Sequence, residues 1–148
     1  NVYALKGAID LGIAMQLTNI ASDVVEDEKR NRSYIKHDLG VIKEIIKIAD
    51  TFYESSFVAI KYIPIISRFS IIVARRVYKK IGDNILKIEN IEKYDNAGKI
   101  YVSNIAKVIE TFLSLYDFIK LFFINSKRHL KEDEHAIINK EINLNERI

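Results

Sequence analysis

Apolar residues recur at helical spacing through most of this chain. Over residues 41–57, Ile42, Ile45, Ile46, Ala49, Phe52 and Tyr53 follow an i, i+3, i+4 pattern that predicts an amphipathic helix. Pro64 suits the first turn of a further helix. Its stripe of Ile66, Phe69, Val73, Val77, Ile81, Ile85 and Ile88 continues to about Ile91. Residues 94–102 contain Asn96-Ala97-Gly98 and read as a turn. Ser103 then caps a last helix over about 104–123, where Phe112, Tyr116, Phe122 and Phe123 recur at core-packing intervals, with the stabilisation of positive charge by their aromatic faces as the alternative role. Ahead of these, a first helix runs from Val2 to about Asp27. It is followed by a polar, charge-rich loop over 28–39. The expected organisation is one all-α unit over 1–124 and a polar tail over 125–148, frayed or detached.

The first helix differs from the others in carrying a polar stripe. Gln16, Asn19, Asp23 and Asp27 are three, four and four residues apart, so at 3.6 residues per turn they fall within roughly 80° of one another, with about 6 Å between successive aspartates. Ile13, Leu17, Ile20 and Val24 flank the stripe, which suggests a lined cavity and not a solvated face. Two carboxylates and an amide oxygen form a hard-oxygen site suited to Mg2+, an ion held by few carboxylates together with substrate phosphate oxygens. Lys29, Arg30 and Arg32 lie just past the aspartates, where phosphate oxygens of a metal-bound substrate would emerge. Gly12, one turn before Gln16, leaves room for a bulky apolar chain to approach the backbone.

Several other features have plainer readings. Arg68, Arg75, Arg76, Lys79 and Lys80 form a basic helix face. His37, His129 and His135 lack metal-ligand spacing and read as solvated. The stretch 105–124 has the length of a membrane span, but Lys107, Glu110, Asp117 and Lys120 make it a core helix instead. Composition changes little: 148 residues, 49% hydrophobic, suffice for one core, and five glycines with one proline favour helix over sheet. No cysteine means no disulfide framework or thiolate chemistry, which points to a reducing, cytoplasmic setting. A net charge of +3 spread along the chain is no nucleic-acid footprint.

The run Leu11-Gly12-Ile13-Ala14-Met15-Gln16-Leu17-Thr18-Asn19-Ile20, then Asp23-Val24-Val25-Glu26-Asp27, then Arg32-x-Tyr34-Ile35, closely resembles the second aspartate-rich signature of the squalene/phytoene synthase family. Ala74-Arg75-Arg76-Val77-Tyr78-Lys79-Lys80-Ile81-Gly82 looks most like its phytoene synthase branch. The resemblance extends from about Leu5 to about Lys120 and is looser after Ile88. It implies the C-terminal half of an all-helical terpenoid-synthase bundle, the chain being a fragment whose other aspartate-rich helix lies elsewhere. It also implies head-to-head condensation of two prenyl diphosphates: geranylgeranyl diphosphate to phytoene, or farnesyl diphosphate in a squalene or dehydrosqualene synthase. A non-catalytic helical homologue serving in assembly is the third reading, and the complete ladder speaks against it.

By position, the resemblance makes Asn19, Asp23 and Asp27 the magnesium ligands, with Gln16 lining the site and Arg32 and Tyr34 closing it. Tyr94, Lys99 and Lys107 would lie near the diphosphates. A hydrophobic product is compatible with peripheral membrane contact. The chain departs from the family pattern at Ser22, where arginine is common, at Asn31 in place of glycine, at Lys36 in place of proline, and at Lys99 where arginine is frequent. These differences bear on diphosphate affinity and loop geometry.

Overall fold

The computed structural model describes residues 2–124, and the tail over 125–148, with His129 and His135, lies outside them. Six helices follow in order: α1 (Val2–Ser22), α2 (Val24–Lys29), α3 (Leu39–Ala59), α4 (Ile65–Leu86), α5 (Ile91–Ala97) and α6 (Asn104–Phe123), with a 3-10 turn (Ile60–Tyr62) after α3. Among the described residues there is no strand, as the periodicity predicts. No helix among them is long and apolar enough to cross a membrane.

The caps follow from local side-chain chemistry. Asp38 accepts from the Val41 amide at the start of α3, Asn90 from Lys93 at α5, and Ser103 from Ala106 at α6. Pro64 stands as the residue just before α4. Boundaries differ from the sequence reading here. The helix after Pro64 stops at Leu86, and the expected turn over 94–102 begins as α5. Its Asn96-Ala97-Gly98 signal marks the end of that helix, where Gly98 takes φ 60°.

The α1–α3 pair forms the spine of the molecule. The buried side of α1 is built of small residues, Gly7, Ala14, Thr18 and Ala21, together with Asp10 and Ser22. This lets α3 approach closely. A Cβ placed on Gly7 would overlap the Cβ of Ala59. The opposing side of α3 is Ile42, Ile46, Ala49, Phe52 and Tyr53, the stripe read from the sequence except for Ile45, which is only partly buried. Thr18 Oγ1 and the Tyr53 hydroxyl meet at 3.0 Å across the interface.

α4 packs on this pair with only part of the expected stripe, Ile85 being buried and Ile81 and Ile88 packed on the core. Its buried positions are Ile72, Arg75, Gly82 and Ile85, while Ile66 faces solvent. Both sides of α4 carry apolar residues, so periodicity alone does not select between them. One core cluster joins Ala21, Val24, Ile42, Ile46, Ile85, Tyr94 and Ile100, directly beneath the end of the polar stripe.

The last helix is inverted relative to expectation. α6 buries Glu110, Ser114, Asp117 and Leu121, and turns Phe112, Tyr116, Phe122 and Phe123 outward, Phe123 being 81% exposed. The aromatics are therefore not core residues of this unit. The reason lies in α4: Arg76 binds Glu110 at 2.8 Å and Asp117 at 2.6 Å, and Lys80 lies 3.6 Å from Glu110. The basic face read from the sequence is consequently no simple solvated face. Arg75 is buried, donates to the Tyr53 carbonyl at 2.9 Å, and pairs with Glu54 at 3.3 Å.

Candidate active site

The polar stripe survives a break in its helix. α1 ends at Ser22, and Asp23 takes φ −109° and ψ 8° before α2 begins. The expected single helix to Asp27 is thus two. The i→i−4 ladder nevertheless runs through the break, from Asp23 N–H to Asn19 O at 3.0 Å and from Asp27 N–H to Asp23 O at 2.8 Å. Asn19, Asp23 and Asp27 therefore remain one turn apart. At about 100° per residue their face lies roughly opposite the small-residue face that packs on α3. Gln16 is exposed, and Asn19, Asp23 and Asp27 are half-buried. Among the described residues the stripe is open on one side and not set in a closed cavity, because α1 presents its other face to its neighbours.

Asp23 is held at both oxygens. Ser22 Oγ donates to Oδ1 at 2.7 Å, and Lys99 Nζ donates to Oδ2 at 3.0 Å. The Asp23 hydrogen bond raises the pKa of Lys99, keeping it an ammonium. Tyr94 reaches the same region from below. It is fully buried, and its hydroxyl donates to the Ala21 carbonyl at 2.6 Å beside the Val24 amide, at the break itself. Burial pushes its pKa up to about 12, so it stays a neutral donor. The segment from α5 to α6 thus returns to the stripe at two points, Tyr94 and Lys99.

Arg32 and Tyr34 come close to Asp27. The Arg32 amide donates to the Asp27 carbonyl at 2.8 Å, made possible by Asn31 in the left-handed region at φ 55°. Their side chains share a shallow cleft with Ile20, Val24, Asp27 and Ile35. Lys107 stands apart, exposed in the first turn of α6.

Sequence reasoning missed the partners of several charged groups. His37, read as solvated, lies between Glu28 and Asp95. Arg75, Arg76, Lys79, Lys80, Glu110 and Asp117 border a polar cavity of about 390 Å³ between α3, α4 and α6. Glu110 and Asp117 are seven residues apart on one face, and this was the available signal. An apolar cavity of about 240 Å³ lies alongside α1, with Ala8, Leu11, Gly12 and Met15 on one wall and Ile60, Ile63 and Ile71 on the other. A Cβ on Gly12 would meet nothing within 4 Å.

The donor chemistry of Asn19, Asp23 and Asp27 fits a magnesium ion. Among the described residues no group of three or more histidine, cysteine or acidic side chains could hold a metal. Two carboxylates and an amide are the partial set that Mg2+ accepts, with water or phosphate oxygens completing the octahedron.

Residues 3–39 match the squalene/phytoene synthase family. A 15-cis-phytoene synthase of Enterobacter agglomerans is 31% identical over 104 residues, covering 56% of this chain and 35% of that protein. A 15-cis-phytoene synthase of Paracoccus sp. is 34% identical over 101 residues, covering 56% and 33%. A chloroplastic phytoene synthase of an Oncidium hybrid cultivar is 31% identical over 126 residues, covering 70% and 30%. The chain spans about a third of the length of these relatives. No solved structure matches it. The matched stretch contains the polar stripe, the break and the exit loop, and over it the chain is similar to the squalene/phytoene synthase family.

Proposed function

We propose that this chain supplies the second aspartate-rich face of a prenyltransferase that joins two prenyl diphosphates head to head, geranylgeranyl diphosphate giving phytoene. The observation that carries the reading is the unbroken register of Asn19, Asp23 and Asp27 across the helix break, with Lys99 against Asp23 and Arg32 and Tyr34 beside Asp27. The names of the relatives support phytoene as product.

In this mechanism Asn19, Asp23 and Asp27 would hold Mg2+, with Gln16 lining the same face. When bound, the ion offsets the negative charge that develops on the leaving diphosphate. Arg32 and Lys99 supply positive charge for the diphosphate oxygens, and Tyr34 closes the loop side. Departure of diphosphate leaves an allylic cation, which needs an apolar, water-poor surrounding. The cavity beside Gly12 provides apolar wall next to the stripe. Tyr94 serves from beneath, fixing the break that sets the direction of Asp23 and Asp27.

The test is substitution in the full-length protein. Asp23→Ala and Asp27→Ala are each expected to lower phytoene formation by at least about a hundredfold, while the far-UV circular dichroism spectrum stays that of the wild type, since neither side chain fills a core. Near wild-type turnover in both would reject the metal role. Supplying farnesyl diphosphate in parallel separates the phytoene assignment from a squalene-type one by the chain length of the product.

A further inference from the structure

Both ring nitrogens of His37 meet carboxylate oxygens: Nδ1 is 2.8 Å from Glu28 Oε2, and Nε2 is 2.7 Å from Asp95 Oδ1. A neutral imidazole has one N–H, so its second nitrogen would direct a lone pair at a carboxylate at hydrogen-bond distance. Only the imidazolium donates to both. The charged groups facing the ring are Glu28 from α2 and Asp95 from α5, and the Tyr94 ring stands edge-on at 6.5 Å. Of its loop neighbours, Asp38 is engaged with the Val41 amide as the α3 cap, and Lys36 is exposed.

The exit loop that joins α2 to α3 is therefore pinned at two places. At its start the Arg32 amide is bonded to Asp27, and at its end His37 joins Glu28 to Asp95. Between the pins only Ile35 packs on the core, and Arg32 and Tyr34 point outward, Tyr34 being 63% exposed. We propose that His37 is a pH-sensitive positioning residue whose imidazolium clamps the exit loop to α5 and so holds Arg32 and Tyr34 beside the aspartate stripe. The link to substrate rests on reading those two residues as diphosphate-binding.

The direction of the pH effect follows from the partners. The Asp95 hydrogen bond, aided by Glu28 and opposed by partial burial, raises the imidazole pKa above its ordinary 6.5. The stabilisation is then complete below about 6.5, the unfolded value, and is lost as pH rises through the higher folded value.

Hydrogen exchange of residues 31–38, corrected for intrinsic rate, tests the clamp in the full-length protein at about pH 6 and about pH 9. Wild type is expected to exchange roughly threefold to tenfold faster at the higher pH, the range for losing partly exposed charge-assisted bonds. His37→Gln is expected to show the fast rate at both. Asp95→Asn is expected to move the transition to lower pH, which a merely structural contact would not do. The KM for prenyl diphosphate should rise with the exchange rate in wild type and stay high in His37→Gln. Exchange that is identical in wild type and His37→Gln at about pH 6 overturns the clamp. Faster exchange with unchanged KM, alongside an Arg32→Ala variant whose KM is also unchanged, would leave the clamp standing and overturn the diphosphate role of the loop.

Discussion

Tyr94 shows how one residue can set the geometry of a site that it does not enter. Its hydroxyl satisfies the Ala21 carbonyl at the point where α1 ends, in a place closed to water. Tyr94→Phe preserves the ring packing and removes this bond, so unfolding experiments in urea should show a loss of about 1–2 kcal/mol, the cost of leaving a buried carbonyl short of a partner. Unchanged stability would mean that the break is set by backbone preference alone. The break was not legible in the sequence, since no proline or glycine stands near Asp23, and its partner is 73 residues away. The spacing of Asn19, Asp23 and Asp27 was legible, because helical periodicity is a local property. The pairing of His37 and of Lys99 was not, because each depends on where α5 lies.

At the scale of elements, the small-residue face of α1 decides how closely the spine packs. Gly7 and Gly12 lie in the same helix and are expected to respond to alanine in opposite senses. Gly7→Ala puts a methyl group into Ala59 and should destabilise the fold by about 1–3 kcal/mol, the usual cost of overpacking, less the gain in helix propensity. Gly12→Ala meets open space and should stabilise by up to about 1 kcal/mol. Thermal melts of the two variants would check the pair, and a stabilised Gly7→Ala would show that α1 and α3 can slide apart without cost. α3 was legible in all of its stripe but Ile45, which is only partly buried. α4 was legible as a helix and in the C-terminal part of its stripe, Ile81, Ile85 and Ile88, but not at Ile66 and Ile72, because apolar residues occupy more than one of its faces. α6 was legible in its limits and its Ser103 cap but read inside out. Hydrophobicity marked the aromatics as core, whereas Arg76 on α4 draws the acidic face inward.

For the whole molecule, that inversion means that α6 is docked largely by charge. Arg76→Met leaves Glu110 and Asp117 nearly buried without their main counter-ion, an arrangement that costs several kcal/mol when the pair is fully enclosed, and about 2–4 kcal/mol here. Amide exchange in α6 should then approach that of an undocked helix while α1 and α3 keep their protection. Equal protection in variant and wild type would show that Leu121 and Phe118 suffice to hold it.

The outward-facing aromatics of α6 have a thermodynamic counterpart. Most helices release apolar area when they come away from a domain, so their opening raises the heat capacity and is promoted by urea. α6 already has much of its apolar side in water, and its opening would expose Glu110, Asp117 and Arg76 together with the smaller apolar cluster of Leu121, Phe57, Ile60 and Ile72, the polar part of which lowers heat capacity. Its opening should therefore depend less on denaturant than that of a helix of equal length with its apolar side buried, setting it apart from the cooperative unfolding of the α1–α3 spine.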